Sequence, residues 1–290
     1  LAFVQKNAVY ATPFIRTGKS IEVSATSKSF PVKKLAKYSA KYLHWSGDSK
    51  QMQWSFGPTL YPRNMSDTFA YLTKGDVSLP EEVVEGTDIT FEQTADKPEG
   101  TLALVGARVV TMRNADNEEE VIDNGVVIIK DNLIVAVGTK GEISIPKNSK
   151  IIDVQGKTIM PGIVDAHAHG SYASYGMQPQ QNWNQLANLA FGVTTIHDPS
   201  TSTSAVFSMS EMAKAGRVLS PRIFSTGRIL YAGERADYKV DIKTLDDARF
   251  HIKRVKDAGA ISIKSYAHPR RDVRQMLLTA ARELDMMVVP

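Results

Sequence analysis

From residue 158 onward the chain alternates between short apolar stretches and longer amphipathic ones, a rhythm that few folds accommodate. The apolar runs at 159–167, 193–196, 222–226, 261–266 and 286–289 have the length and β-branched content of buried strands. Between them, 182–191, 205–215, 244–258 and 272–284 carry apolar residues at helical spacing. Strands that alternate with helices through short links pair in parallel, with the helices laid against the sheet. Four such units and a fifth strand amount to about half of a TIM-type (β/α)8 barrel. The expectation for 158–290 is the N-terminal half of such a barrel.

Upstream the pattern is β throughout. Leu102, Leu104, Ala107, Val109 and Val110 open a strand. Segments 125–130 and 133–138 flank Asp131-Asn132 as a hairpin, and Ile151, Ile152 and Val154 follow before Gly156. Residues 101–157 therefore read as a small β-sheet unit of several short strands. Residues 77–100, with Glu81, Glu82, Glu85, Asp88, Glu92 and Asp96, read as an extended acidic linker whose charges can equally be a solvated face.

The first segment repeats itself. The offset that separates Tyr10 from Tyr61 also separates Phe3 from Trp54 and Leu1 from Met52. Short strands recurring at a few tens of residues suggest propeller blades. Tyr42-Leu43-His44-Trp45 runs into Ser46-Gly47-Asp48-Ser49-Lys50 and then Met52-Gln53-Trp54, which resembles the strand-turn-strand signature of TolB-like propellers. The fold class expected is thus multidomain β plus α/β: a partial TolB-like β-propeller over 1–76, the linker, the β-sandwich segment and the half barrel. Two blades cannot close a ring, so further blades are expected upstream.

The chemistry concentrates in Pro161-Gly162-Ile163-Val164-Asp165-Ala166-His167-Ala168-His169-Gly170. Residues two apart on a strand share a face, so Asp165, His167 and His169 are expected on one side. Parallel barrels place their chemistry at the C-terminal ends of strands. Two imidazoles there can grip one divalent ion through neutral ring nitrogens. A lone His-x-His also fits two surface histidines at a strand end. Its place, opening a β-α series behind a β unit and a Pro-Gly entrance, favours metal ligation. Lys264, between Ile263 and Ser265 near the end of the fourth strand, would be costly to bury as a cation unless neutralised or paired, and could instead snorkel to solvent.

The stretch from Thr101 through Val164-Asp165-Ala166-His167-Ala168-His169 resembles the amidohydrolase superfamily, in its imidazolonepropionase and prolidase-like branch, and Gly192-Val193-Thr194-Thr195 is similar to the second strand of those enzymes. The resemblance implies that His167 and His169 are metal ligands and that Lys264, as a carbamate, bridges two divalent ions, most simply zinc. It implies hydrolysis of an amide or peptide-like C–N bond in a small molecule by metal-activated hydroxide. His197, Tyr266 and His268 are candidate substrate contacts, and Asp165 a support for the ligands. Further histidines and a catalytic acid-base aspartate are expected beyond Pro290. The chain alone is therefore expected to be inactive, and to need the remaining half of the barrel or an oligomeric partner to complete it.

Composition limits the alternatives. Cysteine is absent, which excludes disulfides, thiolate metal sites and a cysteine nucleophile. The net charge of +4, from 35 basic and 31 acidic residues, is too slight and too dispersed to indicate a nucleic-acid partner. No apolar run is long enough to span a membrane. Residues 1–13 do not read as a cleavable leader, but both ends of the chain look cut, so this says nothing of location, and a periplasmic or secreted setting is only what the TolB-like resemblance implies. A lactonase or phosphotriesterase remains open, since the same metal pair hydrolyses those bonds. So does a non-catalytic interaction protein, with propeller blades joined to a degenerate barrel.

Overall fold

The N-terminal repeat is visible in the pairing register. The structure, a computed structural model, describes residues 1–5, 8–14, 16–36, 41–66, 68–69, 85–115, 118–230, 240, 242–266 and 270–290. Strands β1 (Ala2–Gln5), β2 (Ala8–Ala11) and β3 (Lys33–Ala36) form an antiparallel sheet. Strands β4 (Lys41–Trp45), β5 (Gln51–Phe56), β6 (Thr59–Asn64) and β7 (Thr87–Asp88) form a second. Phe3 pairs with Tyr10 in the first hairpin and Trp54 with Tyr61 in the second. Their rings stack at centroid distances of 5.4 and 6.1 Å. Cross-strand aromatic pairs of this kind hold a hairpin's register. Val9 and Leu35 of one sheet pack with Met52 and Trp54 of the other in a single core. The part of the expected linker at 77–84, with Glu81 and Glu82, lies outside the described residues. Farther on, the Asp96 amide bonds the Ala215 carbonyl at 2.9 Å. That approach requires Gly216: a Cβ there would overlap the Asp96 carbonyl.

Strands β8 (Thr101–Ala115), β9 (Glu118–Lys130), β10 (Leu133–Thr139), β11 (Lys150–Asp153) and β12 (Thr158–Ile159) make one five-stranded sheet in the order β10-β9-β8-β11, with β12 also on β8. The segment expected as a sandwich is thus a single hydrogen-bonded sheet. The start of β9 is corrected: it begins at Glu118 rather than residue 125. The acidic run hides that start in the sequence, but pairing with β8 supports it, and Arg113 on β8 holds Glu120 through Nε at 2.9 Å. The hairpin turns at Asp131, whose φ of 56° lies in the left-handed region tolerated by aspartate.

The α/β part begins with β13 (Ile163–Asp165), β14 (Val193–Asp198) and β15 (Arg222–Ser225), parallel and adjacent in sequence order. Strands β16 (Ser262–Lys264) and β17 (Met287–Val289) pair separately, also in parallel. Helices α1 (Trp183–Ala190), α2 (Thr203–Lys214), α3 (Leu245–Asp257) and α4 (Arg271–Glu283) alternate with them. The buried faces of α2, α3 and α4 meet the strands in one core that includes Ile196, Val206, Ile252, Ile263 and Leu277. The sheets do not close into a barrel among the described residues. The expected first strand at 159–167 is corrected: Ile159 belongs to the preceding sheet, and β13 is only three residues long. None of the described helices is long and apolar enough to cross a membrane.

Candidate functional site

The Pro-Gly entrance to β13 has a steric cause. A Cβ on Gly162 would overlap Thr194 Oγ1 and Cγ2 and lie 2.7 Å from its Cβ, so only glycine lets β13 lie this close to β14. The strand ends at Asp165, whose Oδ1 accepts the His167 amide at 3.0 Å. That bond turns the chain out of strand conformation. His167 and His169 therefore sit on a turn beyond the strand, and simple alternation does not apply to them. Their rings nonetheless lie edge to face, with centroids 5.1 Å apart, and both side chains are exposed. The Ala168 amide still bonds the His197 carbonyl at 3.0 Å, which ties this turn to the end of β14.

Behind the pair lies Asp198, the last residue of β14 and fully buried. Its Oδ1 accepts from His169 Nδ1 at 3.2 Å and from the Ser200 amide at 2.9 Å, while Oδ2 accepts the Gly170 amide at 3.2 Å. Three donors satisfy a carboxylate that would otherwise be expensive to bury. A carboxylate only accepts, so Nδ1 of His169 carries the proton and Nε2 of a neutral ring presents its lone pair. The His169 side chain is 56% exposed, which leaves that nitrogen open to a ligand. This is the carboxylate–imidazole arrangement found behind metal-ligating histidines. Tyr172, buried against the same carboxylate, has its phenol pKa raised by burial and by the negative charge beside it.

His197 faces the other way. Its Nε2 lies 2.8 Å from Ser262 Oγ, and its ring bonds the Ala166 carbonyl. It thereby ties β14 to β16 and to the turn carrying His167. Its pKa is lowered from the ordinary histidine value. Burial is the main cause, and the charges of His167 and Lys264 add to it against the opposing pull of the Ala166 carbonyl and Asp198. Lys264 shares the face of β16 with Ser262, two residues away, and is only 5% exposed. Its Nζ lies 5.4 Å from the Tyr266 ring centroid, a cation–π distance. Tyr266 is past the strand end with φ of 52°, and it meets Lys264 through that turn rather than through strand alternation. His268 lies outside the described residues.

His167, His169, His197 and Asp198 thus gather around the ends of β13 and β14, and Lys264 on β16 lies within electrostatic reach of His197. The chemistry of His167 and of His169, with its ring oriented by Asp198, fits part of a divalent metal's shell. Among the described residues no group of three or more His, Asp or Glu completes it. A cleft of about 330 Å³ opens beside the turn, lined by Tyr172, Met177, Gln178, Asn182 and Trp183. A larger one of about 590 Å³, near Phe14 and Phe30, is lined by no histidine or carboxylate. Sequence reasoning assigned no role to Asp198 or Ser262. The signal for Asp198 was a carboxylate directly after His197 at the second strand's end.

No family model matches the chain. It is 44% identical over 62 residues to an imidazolonepropionase of Geobacillus sp. (strain WCH70), a match covering 20% of this chain and 15% of that protein. A 5-methylthioadenosine/S-adenosylhomocysteine deaminase of Bacillus thuringiensis (strain Al Hakam) is 35% identical over 65 residues, covering 22% and 14%. Among solved structures, a putative prolidase from Bifidobacterium longum superposes with a TM-score of 0.51 and 23% identity, over 67% of this chain and 49% of that one. The matched segments thus span about a seventh of those curated relatives and about half of that solved chain.

Proposed function

We propose that the relationship these matches indicate, to the amidohydrolase superfamily, extends to chemistry. On this reading the chain supplies the first part of a metal-dependent hydrolase acting on an amide or peptide-like C–N bond. The observation that carries it is His169, its Nδ1 held by buried Asp198 and its ring beside that of His167. His167 and His169 would hold a divalent ion, most simply zinc. Lys264 would bridge to a second after its amine takes up carbon dioxide and releases a proton. When bound, the metal lowers the pKa of a water and polarises the scissile carbonyl. Asp198 fixes the His169 tautomer, and His197 holds the β13 turn against β16. Tyr266, at the rim beside Lys264, and His268 are assigned to substrate contact.

The finer architecture belongs to the same proposal: blade-like sheets before residue 77, a linker, and half of a (β/α)8 barrel from residue 158. Two imidazoles and a lysine fall short of the ligand set of such a site, and no acid-base aspartate is assigned here. The 290-residue chain should accordingly bind zinc weakly and show no turnover. Elemental analysis after zinc loading, alongside assays on a dipeptide panel and a cyclic amide, tests both parts. Zinc retained equally by wild type and the His167→Ala/His169→Ala double variant would refute the site. Robust turnover by this chain would refute the incomplete ligand count.

A further inference from the structure

Helix α3 carries two arginines with opposite surroundings. Arg249, partly exposed, places Nε 2.7 Å and Nη2 2.9 Å from the two carboxylate oxygens of Glu283 on α4. This is the side-on fork by which a guanidinium grips a carboxylate through two parallel bonds. Arg254 lies on the buried face beside Ile252 and Val255 and is only 5% exposed. Its Nε and Nη2, the same two donors, have no hydrogen-bond partner. Burying an unpaired guanidinium is among the more costly arrangements a fold can hold.

The neighbours add to the positive charge. Arg228, three residues beyond β15 and half-buried, and Lys41, exposed at the start of β4, lie within electrostatic reach of Arg254 and of each other. No ion pair joins any of the three to a carboxylate among the described residues. Burial, reinforced by Arg228, pushes the Arg254 pKa down to about 10. Partial burial of the amine, then Arg228 and Arg254, lowers that of Lys41. An unpaired fork and two further cations form a concentration of donors without an acceptor among the described residues.

We propose that Arg254, Arg228 and Lys41 bind a small oxyanion, a phosphate or carboxylate that offers two oxygens to the unpaired fork of Arg254. Three cations favour a dianion, so phosphate should bind more tightly than a monocarboxylate. None of the three residues belongs to the proposed hydrolytic site, and the inference does not depend on it.

The test is calorimetric titration and thermal unfolding of the full chain with sodium phosphate, and separately with sodium acetate, at an ionic strength fixed by chloride. The expected result is saturable heat and a rising unfolding midpoint, with phosphate ahead of acetate. Acetate ahead of phosphate would name a carboxylate as the ligand. Arg254→Met should melt no lower than wild type in chloride, because it removes an unpaired buried charge, and should bind phosphate about tenfold or more weakly. Arg254→Lys keeps the charge without the fork and should also lose most of the binding. Arg228→Met, at a less buried position, gives a second loss if the Arg254 variants fold poorly. Phosphate and acetate both without effect, or acting equally on wild type and all three variants, would overturn the proposal.

Discussion

Replacing Asp198 with asparagine keeps the side chain's shape while altering what it can accept. In the wild type, Oδ1 takes two hydrogen bonds and Oδ2 takes one, from the Gly170 amide. An amide can preserve the Oδ1 pair, but it turns a donor towards Gly170. One charge-assisted bond is lost, at about 1.5–3 kcal/mol, and the two that remain weaken to neutral strength. Unfolding by urea should report a loss of roughly that size. The site should report something different. A carboxylate behind a ligating imidazole raises its basicity, and removing such partners typically lowers metal affinity by about 10–100-fold. Competition with a chelator measures that affinity directly, with His169→Ala as the reference for losing the ligand itself. Should Asp198→Asn lose stability yet bind zinc within about threefold of wild type, the carboxylate is only a buried structural group. The relay from β14 to the metal would then be wrong.

Two further outcomes follow from the geometry. His197 takes up its proton at a lower pH in the folded chain than in the unfolded chain, where it does so near pH 6.5. Stability should therefore be full above that pH and fall as the pH drops from there towards the lowered folded pKa. The slope has a ceiling of about 1.4 kcal/mol per pH unit, which solvent screening of a half-buried ring reduces further. Urea midpoints measured across that range should show a flatter slope in His197→Gln, and an unchanged slope would count against the burial argument. Gly162→Ala should cost about 1–3 kcal/mol through overlap with Thr194, and Thr194→Ala should recover part of it. Losses that simply add in the double variant would show that the two side chains do not meet.

The β-α rhythm was legible in the sequence because helical and strand periodicities are local. The four expected helices lie within two residues of α1 to α4, and strands β14 to β17 fall inside or beside their expected runs. The hairpin repeat was legible for the same reason, since Phe3 with Tyr10 and Trp54 with Tyr61 are local cross-strand pairs. What failed depends on distant partners. The apolar run at 159–167 looks continuous, yet its first part pairs with β8 and its middle with β14, and only tertiary pairing reveals the break. The pairing of β11 and β12 with β8 was hidden for the same reason, since one long β8 accepts β9, β11 and β12 into a single sheet. At the site, His167, His169 and Lys264 stood out by residue type and position. Asp198 did not, because its role is defined by donors 28 and 29 residues earlier in the chain. Ser262 was invisible for the same reason, meeting His197 across 65 residues.

Strand β14 is the middle member of its three-stranded sheet, hydrogen-bonded on both sides and buried at Ile196 and Asp198. Backbone amides in such a position open only with large-scale unfolding, so their hydrogen exchange should be among the slowest in the molecule. His169, by contrast, sits on an exposed turn. An exposed residue thus leans on a strand held from both sides, and the imidazole's orientation is settled before any ligand arrives, which removes that entropic penalty from binding.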